Sequence, residues 1–544
     1  MKNQTLKEFF KYVSANVIAM IGLSCYILAD TFFISLSLGK TGLASLNLAM
    51  PSFSIVFSIG LMFGIGGSTK FAIYKGAGDG KSANRVFTHT VFVVACFAVV
   101  FVLLGAFLSG PVASLLGADG KTFSGSKTYV QIILCFAPFF MFNNVLQNFI
   151  RNDGAPRLAM TASLLGNLFN IVFDYVFIFP CKLGMLGAAL ATGISPVISM
   201  LILMIFFFRK KNTFRLEKTK LSLSVFGEII SLGLASFIAE FGFGLVMMLI
   251  NKLFKSLGGD TAVAAFAIVV NVFYVINAIF NGISAGTQPI ISFSYGQHDF
   301  MRIRQVLKYA LITIGATAAV LYVALFFSAD GIAAIFNTEK AEDLQKLATT
   351  GIKLYFISSL FSGFNLLFSS YFSASDKGVC SQIITLLRGV VLIIPLAYLF
   401  AHLWKITGLW LATPAAEMLT LVAAIIIFFV TRKKRADAEI PAPRFGTGII
   451  RRTRSRFFLI LFFLSFCFLF FDGNDKYYRL DNNHPDASEQ YYDDFGHLSE
   501  RRLVPFGIFR RAKEKREIAV GQFFKTRLVN RAVRICHTLS RFAP

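Results

Sequence analysis

Apolar residues gather along this chain in twelve long runs, at about 11–37, 44–70, 86–110, 127–150, 157–180, 184–208, 225–254, 262–291, 305–328, 346–372, 380–402 and 406–431. Each run holds roughly 20 residues or more, enough for a helix to cross a hydrocarbon core about 30 Å thick. Segments this apolar must satisfy their own backbone N–H and C=O groups in lipid, which predicts helices. A membrane barrel would need strands of about ten residues with alternating polarity, and no such alternation is present. An even number of spans returns the chain to the side on which it began.

The residues between the runs predict which side that is. One set of loops carries Lys75, Lys81, Arg85, Arg151, Arg157, Arg209, Lys210, Lys211, Arg302, Arg304 and Lys308. The opposite set carries fewer basic residues and holds the acidic Glu339, Glu342 and Asp343. Basic loops are retained in the cytoplasm, so both ends of the membrane core are expected inside, across a bacterial inner membrane.

The pattern also repeats. Ala44, Phe53, Gly66 and Gly76 fall on Ala264, Phe273, Gly286 and Gly296, and the segment GAALAT at 187–192 falls on GLWLAT at 408–413. Halves with an even number of spans share one orientation, and such parallel repeats are related by an axis along the membrane normal. The expected fold is an all-α membrane protein of twelve transmembrane helices, arranged as two pseudo-symmetric six-helix bundles around a central cavity. The expected division is an N-terminal lobe at 1–208, a cytoplasmic linker at 209–224, a C-terminal lobe at 225–431 and a basic extension at 432–544.

Composition supports this reading. The 544 residues are 56% hydrophobic and 15% charged, against about 25% charged in soluble proteins. The net charge of +24 invites a nucleic-acid partner, yet up to residue 431 the basic residues sit in short loops, where they report topology. The extension holds 23 Lys and Arg against 12 Asp and Glu. Its one apolar run, Phe457–Phe471, is short for a span. A disordered cytoplasmic segment, a short membrane-associated helix and a misread reading frame are all compatible with it. The seven cysteines are widely spaced without a CxxC pair, which argues against a zinc or redox motif. The six histidines form no HExxH pattern and no Walker A loop exists, so neither a membrane-embedded enzyme nor an ATP-driven pump is expected, and no cofactor.

Ionisable residues inside spans cost at least about 2.5–3.5 kcal/mol at a helix centre, so they face a cavity or a partner. The candidates singled out within the runs are Asp30, Asp174, Glu240, Arg388 and Glu417. Asn167, Asn170 and Asp174 share one helical face at i, i+3 and i+7. Such a stripe in an apolar helix points at something polar. The alternative is interhelical hydrogen bonding alone. Arg388 and Glu417 are expected to pair structurally.

Three segments carry a specific resemblance. FIRNDGAPRLAM at 149–160, NIVFDYVFIF at 170–179 followed by GMLGAALATG at 184–193, and FNGISAGTQPIISFSYG at 280–296 resemble the multidrug and toxic compound extrusion (MATE) family over about residues 8–431. The resemblance implies a cation-coupled antiporter that exports lipophilic, mostly cationic compounds by alternating access, acting as a monomer among membrane lipids. It implies a coupling-cation site, for Na⁺ or H⁺, at Asp30, Asn170, Asp174 and Thr192, with Glu240 in the cavity or coupling path; Asn167, on the same helical face as Asn170 and Asp174, is expected to face that region as well. Two carboxylates, an amide oxygen and a hydroxyl also make a hard oxygen cage by their own chemistry. The chain departs from the family in having no proline between Met1 and Met50, and Ser35 stands where a glycine is common. A lipid-linked saccharide flippase of related fold is the alternative; it calls for a strongly cationic cavity, and few Lys or Arg lie in the runs.

Overall fold

The structure, a computed structural model, describes residues 2–337 and 341–436, and within them it is helical almost throughout. The Phe457–Phe471 run lies outside the described residues. The first six spans are Gln4–Gly39, Ala44–Gly76, Gly80–Leu115, the bent pair Gly120–Cys135 and Ala137–Asn152, Pro156–Ile178 and Gly184–Phe208. Span 4 bends by 48° at its break, where Pro138 withholds an N–H. The helix Leu223–Gly296 has 74 residues. At 1.5 Å per residue it would be about 110 Å long, more than three bilayer cores. Non-helical torsions at Gly258 and Gly259 divide it into spans 7 and 8. Span 9 is Phe300–Phe336 and span 10 is Glu342–Ala374. Gly378–Thr431 breaks at Trp404 and Lys405 into spans 11 and 12. Most helices begin earlier or end later than their apolar runs, because polar helix ends stand outside the hydrocarbon.

The backbone itself carries the repeat. Gly39 (φ 59°, ψ −152°) breaks the chain between spans 1 and 2, and Gly259 (φ 62°, ψ −153°) does so between spans 7 and 8. Only glycine enters that region without steric cost. Positive φ recurs at Gly78 and His298, at Gly154 and Asp376, and at Lys182 and Lys405. Asp79 caps span 3 by accepting from the Ser82 N–H at 3.0 Å, and Asp299 caps span 9 by accepting from the Arg302 N–H at 2.9 Å. Each pair sits about 220 residues apart, so turns and caps obey the same internal symmetry as the apolar runs.

The two lobes meet most tightly at the end that carries the basic loops. Gly76 and Gly296 are symmetry mates, and a Cβ on either would strike a backbone carbonyl of the other's helix, that of Phe293 or Ile73. The chain crosses its own pseudo-axis here, and only hydrogen-sized side chains fit. Gly66 packs on Ile229 and Gly233 of span 7, while its mate Gly286 packs on Val13 of span 1. Lys70 bridges the lobes by pairing with Asp376 at 3.2 Å and Glu228 at 3.1 Å, and Gln288 donates to the Thr69 hydroxyl at 2.9 Å.

The connection after Phe208 is pinned under the first lobe. Phe214 is fully buried and its ring meets those of Phe71, Phe87 and Phe149. The Arg215, Glu217 and Ser222 N–H groups donate to Asn84 Oδ1, Thr88 Oγ1 and His89 Nε2, each at 3.0 Å. Elsewhere the usual polarity is inverted. Phe107 is 78% exposed and Phe327 80%, whereas Asp30 is 4% and Asp174 0% exposed. Apolar groups outside and carboxylates inside are what lipid as a solvent requires.

Candidate functional site

A cavity of about 380 Å³ opens between the lobes, lined by spans 1, 2, 4, 5 and 6 of one and 7, 8, 10, 11 and 12 of the other. Its wall is mixed. Phe53, Phe57, Phe140, Phe243 and Phe273 supply apolar area, and amides, hydroxyls and a few charges are set between them.

The N-terminal wall includes Tyr26, Asn167, Asn170 and Thr192, and the two aspartates lie behind it. Asp30 arrives on span 1 one helical turn after Tyr26, and Asp174 on span 5 one turn after Asn170. Their carboxyl groups come within hydrogen-bonding reach of each other. The i, i+3, i+7 stripe does turn inward: Asn167 faces the cavity and Asn170 and Asp174 are fully enclosed. In the orientation that satisfies both its polar atoms, the Asn170 amide donates to Asp174 Oδ2 at 3.2 Å and accepts from the Thr192 N–H at 3.3 Å. The Thr192 hydroxyl donates to the Ala188 carbonyl at 3.0 Å and is met by the buried Tyr129 hydroxyl.

Two buried oxygens here, Asp30 Oδ1 and Asp174 Oδ1, have no hydrogen-bond partner. Two enclosed carboxylates in contact repel unless a proton or a cation lies between them. The donor set is all oxygen, hard and partly anionic, the chemistry that holds an alkali cation or a proton rather than a soft metal. Among the described residues no group of three or more His, Cys, Asp and Glu assembles elsewhere as a metal site.

The C-terminal wall is built differently. Arg388 sits in the π-helical turn Leu387–Val391, a wide turn that sets its side chain against span 12. Its Nη2 and Nε reach Glu417 Oε1 at 2.7 and 3.1 Å, and the Asn365 amide donates to Glu417 Oε2 at 2.7 Å. Both oxygens of Glu417 are therefore used. Glu240 lies apart from this pair, faces the cavity from span 7 and forms no ion pair among the described residues.

Four charged residues escaped the reading of apolar runs. Lys70 and Glu228 lie in spans 2 and 7 at the tight end of the lobe interface. Asp376 sits in the turn between spans 10 and 11. Arg151, counted as a loop residue from its charge, belongs to the last turn of span 4, is 9% exposed and lines the cavity. Tyr26 and Tyr129 were missed too, although the i, i+4 spacing of Tyr26 and Asp30 was a usable signal.

The family model described as MatE matches residues 16–176 and 235–399, more than half of the chain. The chain is 28% identical over 411 residues to the multidrug export protein MepA of Staphylococcus saprophyticus, covering 75% of this chain and 90% of that protein. It is 27% identical, with the same coverage, to MepA of Staphylococcus aureus. An outward-facing multidrug resistance MATE family transporter of the MOP superfamily superposes with a TM-score of 0.75 at 22% identity, over 80% of this chain and 97% of that one. A MATE protein in complex with MaL6 superposes with a TM-score of 0.76 at 23% identity, over 80% and 98%.

Proposed function

The chain belongs to the MatE family of transporters, and from that premise we propose that it exports lipophilic, mostly cationic compounds in exchange for Na⁺ or H⁺. The observation that carries the proposal is the enclosed pair Asp30 and Asp174, each with an oxygen left without a donor, behind a cavity wall that includes Asn170, Thr192 and Tyr26. The relatives' role as multidrug export proteins supports the same reading.

The residues act as follows. Asp30 and Asp174 take the coupling ion, because a single positive charge removes their mutual repulsion. Asn170 and Thr192 connect that site to the cavity wall, so filling it and filling the cavity are linked through shared side chains. Coupling requires that each ligand prefer a different arrangement of the lobes. Glu240 supplies negative charge to a bound cation, and the phenylalanine rings supply area and π-faces. Arg388 is already neutralised by Glu417, so the C-terminal wall presents little net positive charge to a pyrophosphate, which counts against a lipid-linked saccharide.

We assign the lobes to 1–208 and 225–431 with the pinned linker at 209–224, and the basic loops to the cytoplasm of a bacterial inner membrane. The tight contacts at Lys70, Gly76 and Gly296 then close the cytoplasmic end, and the cavity faces outward. The protein is taken to act as a monomer among membrane lipids, without a cofactor or nucleic acid.

Reconstitution in proteoliposomes tests the core of this. A cationic dye should leave against its gradient when Na⁺ or H⁺ is imposed in the opposite direction, and should not when both ions are balanced. Dye movement that ignores both gradients would refute ion coupling.

A further inference from the structure

The cavity holds two arginines, and they are treated unlike one another. Arg388 is matched by Glu417. Arg151 has no carboxylate within ion-pair distance among the described residues. Its partners are two neutral amide oxygens, Asn16 Oδ1 at 2.7 Å from Nη1, and Asn148 Oδ1 against Nη2. Its Nε is buried with no partner at all. A guanidinium that cannot lose its proton is thus held in a largely dry place, on the cavity wall beside Gln147 and Asn148, with donors to spare.

Such an arrangement is costly unless something negative visits it. Glu240 presents the complementary case on the other lobe, a carboxylate facing the same cavity without an ion-pair partner among the described residues. With Arg388 and Glu417 cancelling one another, the unmatched charges of the cavity wall are one positive group on span 4 and one negative group on span 7.

Resting on the transport reading above, we propose that Arg151 docks an anionic group of the transported molecule, so that the cavity takes amphoteric compounds with the amine toward Glu240 and a carboxylate on Arg151. A carboxylate fits the fork of a guanidinium and replaces a missing counter-charge, which the two amides cannot do. Asn16 and Asn148 hold the fork in place, so little side-chain freedom is lost on binding.

The test uses a fluorescent lipophilic amine that bears a carboxylate, together with its ethyl ester, which keeps the amine and ring system and removes the anion. Both are offered to the full chain in proteoliposomes. The wild type should move both. Arg151→Gln should cut transport of the acid by about tenfold or more, the expected weight of a charge-assisted pair, and alter transport of the ester less than about twofold. An equal fall for acid and ester would make Arg151 a brace between spans 1 and 4 and overturn the proposal, as would an acid that moves as before. A measurement without substitution guards against misfolding of the variant: on the wild type the acid should compete with a permanently cationic dye at lower concentration than the ester. Equal competition overturns the proposal. A wild type that moves neither compound, nor the dye, refutes the transport reading itself, a result distinct from the others.

Discussion

Thr192 and Thr413 occupy equivalent places in the two lobes, 221 residues apart, and the groups near them handle charge in contrasting ways. On the N-terminal side two carboxylates meet behind the cavity wall and leave Asp30 Oδ1 and Asp174 Oδ1 without donors. On the C-terminal side the position equivalent to Asn167 is Arg388, and its partner Glu417 is fully engaged by Arg388 and Asn365. Backbone turns, helix caps and close-packed glycines repeat between the lobes, but these charges do not. A duplicated scaffold therefore carries one half whose enclosed carboxylate pair is incomplete, with an oxygen of each aspartate left without a donor, and one half whose enclosed pair, Arg388 and Glu417, is complete. On the function proposed above, an ion taken up by the aspartate pair acts on the two-lobed fold through one lobe.

The largest expected effect comes from removing the incomplete half. Asp174→Asn should lower gradient-driven dye efflux by about a hundredfold, the upper range of a typical coupling energy, with little change in the melting temperature in detergent. Efflux at the normal rate would dissolve the contrast between the lobes. The complete half should respond in the opposite manner. Glu417→Gln leaves Arg388 enclosed without a counter-charge and should cost about 3–5 kcal/mol of stability. The double change Arg388→Met with Glu417→Leu should recover most of that loss. Thermal unfolding of the three variants checks both statements.

A smaller effect is expected at the junction of the lobes. Lys70→Met removes the bridge to Asp376 and Glu228, and the closed end should open more often, by about fivefold. The rate at which a thiol reagent labels a cysteine placed at Ser373, itself 4% exposed, reads this directly. The smallest effect concerns what the lobes share. Asp79→Ala and Asp299→Ala should each cost about 1 kcal/mol, the ordinary value of a helix N-cap, and should match one another. Hydrogen bonds from Ser82 hold the Asp79 carboxyl below the usual carboxylate range. The contribution of this cap is thus present at neutral pH, and it fades as pH falls through that depressed folded-state value. Melting curves at neutral and acid pH separate the wild type from Asp79→Ala in the first case and bring them together in the second.

The chain's own order of residues settled the number of spans, their helical nature and the repeat, since length in lipid and backbone self-satisfaction are local demands that apolar runs express directly. Gly39 with Gly259, and Gly76 with Gly296, could be matched by spacing alone. What spacing could not supply was the rotation of each helix about its axis. Arg151 looked like one more basic loop residue, yet span 4 extends to Asn152 and turns its guanidinium toward the cavity. Asp376 looked like an ordinary turn residue, and only the apposition of the lobes made it a partner of Lys70. Whether a polar side chain meets lipid, a neighbour or an open space depends on groups hundreds of residues away, and it is packing between lobes that makes that choice.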